Sequence, residues 1–366
     1  MWKWGKQMAS KKIGFLTSGG DCQSLNATMR AAAKALYNTY GEIEILGILD
    51  GYKGLIYGKY ITMCEKQFED ILSVGGTILG TSRQPFKRIQ RLEEDGIDKI
   101  QAMVDTYSKL NLDCLIILGG NGSHKTANLL SEKGLNIITL PKTIDNDIWG
   151  TDVTFGFHSA VDVATYAIDC IHTTASSHSR VFVVELMGHK VGWLTLQAGV
   201  AAGADVILIP EIPYDIHNIA DLVMKRRKEG KRCTVIVVAE GARSKEDSLL
   251  TKKEYKEKLK GLPYPSISYK ISKEIEALTG EEVRITIPGH MQRGGEPNAY
   301  DRVLSTRLGS AAAAFVKEGM YGYMVGVRNN EIVPVPLHEV AGKLKQVDPE
   351  SEFIKEIKDL GIVFGD

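Results

Sequence analysis

The sequence is short of cysteine, has no excess of charge of either sign and has no long apolar run. Each scarcity removes a class of protein. Its five cysteines, Cys22, Cys64, Cys114, Cys170 and Cys233, are scattered, with no C-x-x-C pair and no Cys/His spacing of the zinc kind. A disulfide scaffold and a zinc module are excluded, and the expectation is reduced, mostly buried thiols in a reducing, cytoplasmic compartment. Lys plus Arg and Asp plus Glu both total 45 in 366 residues. A net charge of zero gives no long-range pull toward nucleic acid or an anionic membrane, so neither is an expected partner. Any anionic ligand has to be held by local positive clusters. No apolar run approaches the ~20 residues that span a bilayer. Met1–Ser10 carries Lys3 and Lys6 but no apolar h-region, so it reads as an extension, not a secretory signal. There is no G-x-x-x-x-G-K-S/T and no strand-linked G-x-G-x-x-G, which argues against a Walker site and a dinucleotide site. No Ser–His–Asp order or H-E-x-x-H pattern supports hydrolase or metalloprotease chemistry.

What is present is a repeating alternation. A length above 300 residues points to two domains rather than one enlarged core. Apolar residues at 43% and charged residues at 25% suit a globular chain. Short, near-continuous apolar runs occur at Ile13–Thr17, Ile45–Leu49, Cys114–Leu118, Ile137–Leu140, Val181–Leu186, Val206–Ile209, Thr234–Ala239 and Arg284–Ile287. Such runs mark strands buried on both faces. Helical patterns lie between them, at Asn26–Tyr37, Ile97–Lys109, Thr126–Lys133, Ala160–Thr173 and Ile219–Glu229. Strand then helix, repeated, predicts βαβ units and an open, largely parallel α/β sheet. The charge-rich stretch Ser244–Lys260 reads as a solvated loop and helix surface.

In open α/β sheets ligands bind beyond the carboxyl ends of the strands. The first run leads into Ser18-Gly19-Gly20-Asp21, and the run Cys114–Leu118 leads into Gly119-Gly120-Asn121-Gly122-Ser123. Glycine lets backbone N–H groups approach an anion, and a following helix N-terminus adds its dipole. One such turn can simply satisfy tight geometry; two favour a polyphosphate site. The run Ile137–Leu140 ends in Pro141-Lys142-Thr143-Ile144-Asp145-Asn146-Asp147. A cation, a hydroxyl and two carboxylates in seven residues are the parts that phosphoryl transfer to an alcohol needs, although an acidic turn that caps a helix would read alike. Arg180, Arg284 and Arg293, near strand ends, suit bidentate recognition of a phosphate, while a lone arginine is more often a surface charge. His178 and His290 are equally readable as buried structural histidines.

These residues resemble the phosphofructokinase family. The matching pieces are Leu16–Asp21, Asn26-Ala27, Asp50-Gly51-Tyr52, Gly75–Gly80, Gly119–Ser123, Thr143–Asp147, Arg180, Glu185–Gly188 and Gly289–Gly295, in the family's order from about residue 12 to 330. The resemblance implies two Rossmann-like three-layer domains with largely parallel sheets and the active site in the cleft between them. It places a larger, ATP-binding domain at 11–156 plus about 292–342, and a smaller sugar-phosphate domain at 157–291 plus about 343–366, after an extension at 1–10. It implies a 6-phosphofructokinase that uses ATP and Mg²⁺ on fructose 6-phosphate, assembled as a homo-oligomer, a tetramer or dimer. Gly19, Gly20, Arg83, Gly120, Gly122 and Ser123 match donor-phosphate positions. Asp145 matches the catalytic base, with Thr143 and Lys142 beside it. Asn121 and Asp147 match magnesium-supporting positions. Thr143, Met187, Gly188, His189, Glu240, His290 and Arg293 match the sugar-phosphate pocket, and Arg180 and Arg284 match arginines that reach into a neighbouring subunit's site.

Three departures matter. The family's GGDG reads Gly-Gly-Asn-Gly at 119–122, so Asn121 keeps an oxygen but loses a charge that hard cations favour. Lys142 stands where ATP-dependent members often have glycine and pyrophosphate-dependent members have lysine. Gly122, however, leaves room for a nucleotide's α-phosphate where pyrophosphate enzymes usually carry Asp, and that absolute block outweighs the lysine, giving ATP as donor with pyrophosphate the alternative. The family's M-G-R reads Met187-Gly188-His189, a poorer clamp, with Lys190 one residue on and expected on the opposite face of a strand. Arg30 remains where bacterial members bind effectors, but Lys34, His172 and the region around Glu65 replace others, so weak effector control is expected. Asn121 and His189 also permit a weakly active sugar-phosphate-binding paralogue; the intact Thr143–Asp147 segment argues against it.

Overall fold

The computed structural model describes residues 11–92, 96–261 and 263–366; the expected extension at 1–10 lies outside the described residues. The chain divides into two compact units. The first comprises Met1–Thr143, Ile148–Gly156 and Arg293–Leu344, and the second Ile144–Asp147, Phe157–Gln292 and Lys345–Asp366.

The first unit is built on strands β1 (Lys11–Ser18), β2 (Ile43–Ile48), β3 (Tyr60–Met63), β4 (Cys114–Gly119), β5 (Ile137–Pro141), β10 (Tyr323–Arg328) and β11 (Glu331–Pro336), in the order β11-β10-β5-β4-β1-β2-β3. All pairings are parallel except β2–β3 and β10–β11. Every residue of β4 is buried, as a central strand covered on both faces requires. The antiparallel edges carry the strands that the run-based reading leaves out. β3 is half exposed, and β11 contains Pro334 and Pro336, which an edge strand tolerates. The helices Leu25–Tyr40 and Ala299–Glu318 pack together at Gly309, where a Cβ would lie 2.5 Å from the Thr28 carbonyl oxygen.

The second unit carries an all-parallel sheet of β6 (Val181–Leu186), β7 (Val206–Leu208), β8 (Thr234–Ala239) and β9 (Val283–Thr286), in the order β7-β8-β6-β9. The outer flank of β7 is covered: Val363 bridges to Val206, its N–H donating to the Asp205 carbonyl at 3.1 Å and its carbonyl accepting from the Ile207 N–H at 3.0 Å. Phe364 beside it is fully buried. The charge-rich stretch forms helices Lys245–Ser248 and Lys252–Gly261. It is not wholly solvated: the Asp247 side chain is 3% exposed, with Lys258 Nζ at 2.5 Å and Lys270 Nζ at 2.8 Å.

All eight apolar runs are strands, with ends shifted by a residue or two. Two helices depart further from expectation. The one expected from Thr126 begins at Asn121, because Gly120 already serves as its cap, and the one expected at Ala160–Thr173 extends over Phe157–His178. The cysteines are all free, but only Cys22 and Cys114 are buried, so the expected mostly buried set is corrected. Burial raises the Cys22 thiol to about 12. No described helix is long and apolar enough to cross a membrane.

Candidate functional site

In the first unit β1 and β4 are neighbours, with Ser18 opposite Gly119. The chain builds outward to β2 on one flank and to β5 on the other, so the strand order reverses between β1 and β4. Ligands of open α/β sheets collect outside the carboxyl ends at such a point. Both glycine turns leave the sheet there.

Gly19 has φ 90°, a conformation that glycine adopts without strain. Its N–H donates to the Ser82 carbonyl at 3.2 Å and its carbonyl accepts from Thr81 Oγ1 at 2.8 Å, which brings the exposed Arg83 next to this turn in the chain. At Gly20 a Cβ would lie 2.6 Å from Arg293 Nη1, so the missing side chain makes room for that guanidinium. The second turn runs directly into the helix Asn121–Glu132, where Gly120 offers no side-chain cap. Asn121, Gly122 and Ser123 are therefore the first turn of a helix, not a loop, and the positive end of its dipole faces outward from the sheet. Tyr52 Oη donates to the Ser123 carbonyl at 2.8 Å. A Cβ at Gly122 would meet nothing within 4 Å. Asn121 Nδ2 donates to the Lys343 carbonyl at 2.6 Å.

Lys142 joins the two turns. Its side chain is buried, and its ammonium donates to the Gly20 carbonyl. Nζ lies 3.5 Å from where a Cβ of Gly19 would stand and 3.9 Å from that of Gly120. A cation is thereby held beside both amide-rich turns, where its charge adds to that of the turn N–H groups. Behind the turns, Asn26 receives the Ile78 N–H at 2.9 Å and donates to the Val74 carbonyl at 3.0 Å, and Thr17 Oγ1 donates to the Gly80 carbonyl at 2.7 Å.

The phosphofructokinase family model matches residues 12–316. This chain belongs to the phosphofructokinase family. A protein of Spirochaeta thermophila described as "ATP-dependent 6-phosphofructokinase" is 53% identical over 364 residues, covering 99% of each chain. "ATP-dependent 6-phosphofructokinase 3" of Bacteroides thetaiotaomicron is 45% identical over 97% of this chain and 100% of its own. Among solved structures, phosphofructokinase of Pichia pastoris in the T-state aligns at 34% identity and a TM-score of 0.77, over 91% of this chain and 36% of that longer one.

The family's remaining positions fall mainly in the second unit. Thr143, the last of its segment in the first unit, is buried, and its carbonyl accepts from Thr154 Oγ1 at 2.8 Å. Asp145 and Asp147 are half-buried and flank Asn146, whose φ of 53° turns the chain sharply between them. Lys345 holds that turn: its Nζ donates to Asn146 Oδ1 at 2.9 Å and its N–H to the Asp147 carbonyl at 2.9 Å. β6 and β8 end together, with Leu186 opposite Ala239. Met187, Gly188, His189 and Glu240 are thereby brought together. The His189 N–H donates to Glu240 Oε1 at 2.8 Å, and the Met187 N–H to Gln292 Oε1 at 3.2 Å. Gly188 has φ 145°, and a Cβ there would lie 2.7 Å from the Val191 carbonyl oxygen. His189 has φ 50° and sits in a turn with Lys190, so the expected strand alternation that would send Lys190 to the opposite face does not apply.

Arg180 and Arg284 are not brought to that cluster. They stand at the amino ends of β6 and β9, where both guanidiniums engage Glu282, Arg180 Nε at 2.7 Å. The length of β6, about 20 Å at the usual strand rise, separates them from Met187. His178 and His290 are exposed, which corrects their reading as buried structural histidines. The buried histidine is one that sequence reasoning passed over, His124. Its only sequence signal is its place four residues after Gly120, one helical turn on. Burial, together with the Lys142 charge and against a hydrogen bond to Gly120, lowers its pKa to about 4. Gln292, fully buried and bridging Met187 to the Gly289 carbonyl at 3.0 Å, was also passed over.

Proposed function

We propose that the chain is a cytoplasmic ATP-dependent 6-phosphofructokinase, moving the terminal phosphoryl group of ATP onto the 1-hydroxyl of fructose 6-phosphate in a glycolytic step. The observation that carries this reading is the pair of amide-rich turns at the β1/β4 reversal with one buried ammonium between them. The full-length match to relatives described as ATP-dependent supports the donor.

In this reading the turns Gly19–Gly20 and Gly120–Ser123 hold the donor phosphates, and Arg83 adds charge. Lys142 stabilises the equatorial oxygens of the transferring group. Asp145 accepts the proton of the attacking hydroxyl, and Thr143 orients that hydroxyl. Met187, Gly188, His189, Glu240, His290 and Arg293 bind the sugar phosphate. Glu240 reaches it already tied to the His189 N–H, so the pocket wall is set before substrate arrives. Arg180 and Arg284 serve the sugar phosphate of a second copy in a dimer or tetramer. Their separation from Met187 within one chain supports that assignment.

Magnesium is part of this reading. No described cluster of three His, Cys, Asp or Glu side chains forms a protein cage. Mg²⁺ is commonly held by substrate phosphates, waters and one or two protein oxygens, which Asn121 and Asp147 would supply. Bound there, it would neutralise phosphate charge.

The test is the initial rate of fructose 1,6-bisphosphate formation from fructose 6-phosphate and Mg²⁺ with ATP or with pyrophosphate. Preference for ATP is expected. Preference for pyrophosphate would make Lys142, and not Gly122, the donor determinant. No turnover with either would leave a sugar-phosphate-binding protein.

A further inference from the structure

The carbonyl of Gly120 is the pivot of the second glycine turn. It accepts from the Ser123 N–H at 2.9 Å, the His124 N–H at 3.1 Å and His124 Nδ1 at 2.8 Å. A carbonyl oxygen only accepts, so Nδ1 carries the proton; the ring is neutral with its lone pair on Nε2. His124 is 1% exposed, and Nε2 is buried with no hydrogen-bond partner among the described residues. The imidazole is thus spent on one task within the site: it ties the first helical turn back onto the residue from which the turn starts. If the Gly120 carbonyl swung outward it would present negative charge where donor phosphates are to sit. It would also turn the Asn121 and Gly122 amides away.

We propose that His124 is a positioning residue for the donor loop, its Nδ1–H holding the Gly120 carbonyl inward so that the N–H groups of Asn121 and Gly122 face the donor phosphates. This rests on the reading of Gly19–Gly20 and Gly120–Ser123 as the donor-phosphate turns. The side-chain amide of asparagine places a donor near the Nδ1 position, whereas that of glutamine reaches toward Nε2. Leucine fills the space with no donor. A packing role tolerates leucine better than asparagine; the positioning role demands the reverse order.

The experiment measures KM for ATP, KM for fructose 6-phosphate and kcat for wild type, His124→Asn, His124→Gln and His124→Leu, with Gly122→Asp as a direct obstruction of the loop. ATP binding is read separately by calorimetry. His124→Leu is expected to raise KM and Kd for ATP about tenfold, as the loss of one buried hydrogen bond would, with KM for fructose 6-phosphate unchanged. His124→Asn is expected within about threefold of wild type. Equal values for Asn and Leu, or a rise in both KM values together, would overturn the proposal. If His124→Leu does not fold, the comparison of Asn with Gln decides: Asn better than Gln supports positioning, and equality overturns it. If Gly122→Asp also leaves ATP affinity intact, the donor-loop reading itself falls. If Gly122→Asp weakens ATP and the His124 variants do not, only the role of His124 falls.

Discussion

Replacing Lys142 by methionine tests the donor half most directly. Methionine nearly matches the volume of a side chain that is 3% exposed, so the cavity term is small. The Gly20 carbonyl loses its donor, at about 1–3 kcal/mol, but removing a buried ammonium relieves a desolvation penalty of similar size. Stability should therefore move by only a few degrees in Tm. Catalysis should not be spared. A unit charge about 4 Å from the phosphoryl oxygens is worth about 4 kcal/mol at an effective dielectric of 20. The part gained only in the transition state, about 2–4 kcal/mol, corresponds to roughly 30- to 1000-fold in kcat. The assay is steady-state kinetics with ATP varied at saturating fructose 6-phosphate, alongside a thermal melt. A kcat within threefold of wild type, at an unchanged Tm, would refute Lys142 as the clamp on the transferring group.

Asp145→Asn should lower kcat by 10²- to 10⁴-fold with little change in fructose 6-phosphate binding, read by kinetics and calorimetry; a loss below about tenfold would remove it as the base. Gly122→Asp should fold normally, since its Cβ meets open space, yet weaken ATP at least about tenfold through charge repulsion while sparing pyrophosphate. A loss of Tm instead of ATP affinity would refute that. Burial opposes ionisation of Asp247, but the ammoniums of Lys258 and Lys270 override it and hold its carboxyl below its ordinary range. A depressed folded value contributes stability above the unfolded value, near ~4, and loses it as pH falls through the folded one. Asp247→Asn should thus lower Tm at pH 7 and converge with wild type in acid; an unchanged Tm at pH 7 would sink the idea.

The parallel core was legible because β1, β4, β6 and β8 are buried on both faces and so read as unbroken apolar runs. The flanks were not: β3, β10 and β11 mix polar residues, glycine and proline, and β10 joins the sheet through β5, far away in sequence. Glycine spacing marked both turns at the β1/β4 reversal, since a sharp exit from a strand into a helix leaves a local signature. The helix start at Asn121 was misplaced because a glycine cap has no side chain to announce it. His124 escaped notice for a different reason. A histidine's role depends on what its ring nitrogens face, and one turn of helix carries that only after folding. Family resemblance supplied the roles proposed for Asp145 and Asp147, which composition and spacing left open between chemistry and an acidic turn.

The segment at Val363 and Phe364 has a consequence for handling the protein. A β7 stripped of that cover would offer an open row of amides and carbonyls beside the Phe364 socket, the kind of sheet border onto which other chains add. Trimming residues 362–366, or fusing a tag that pulls them away, should therefore show first as precipitation on concentrating the sample. The catalytic rate of the molecules that stay in solution would be a poor guide to the damage.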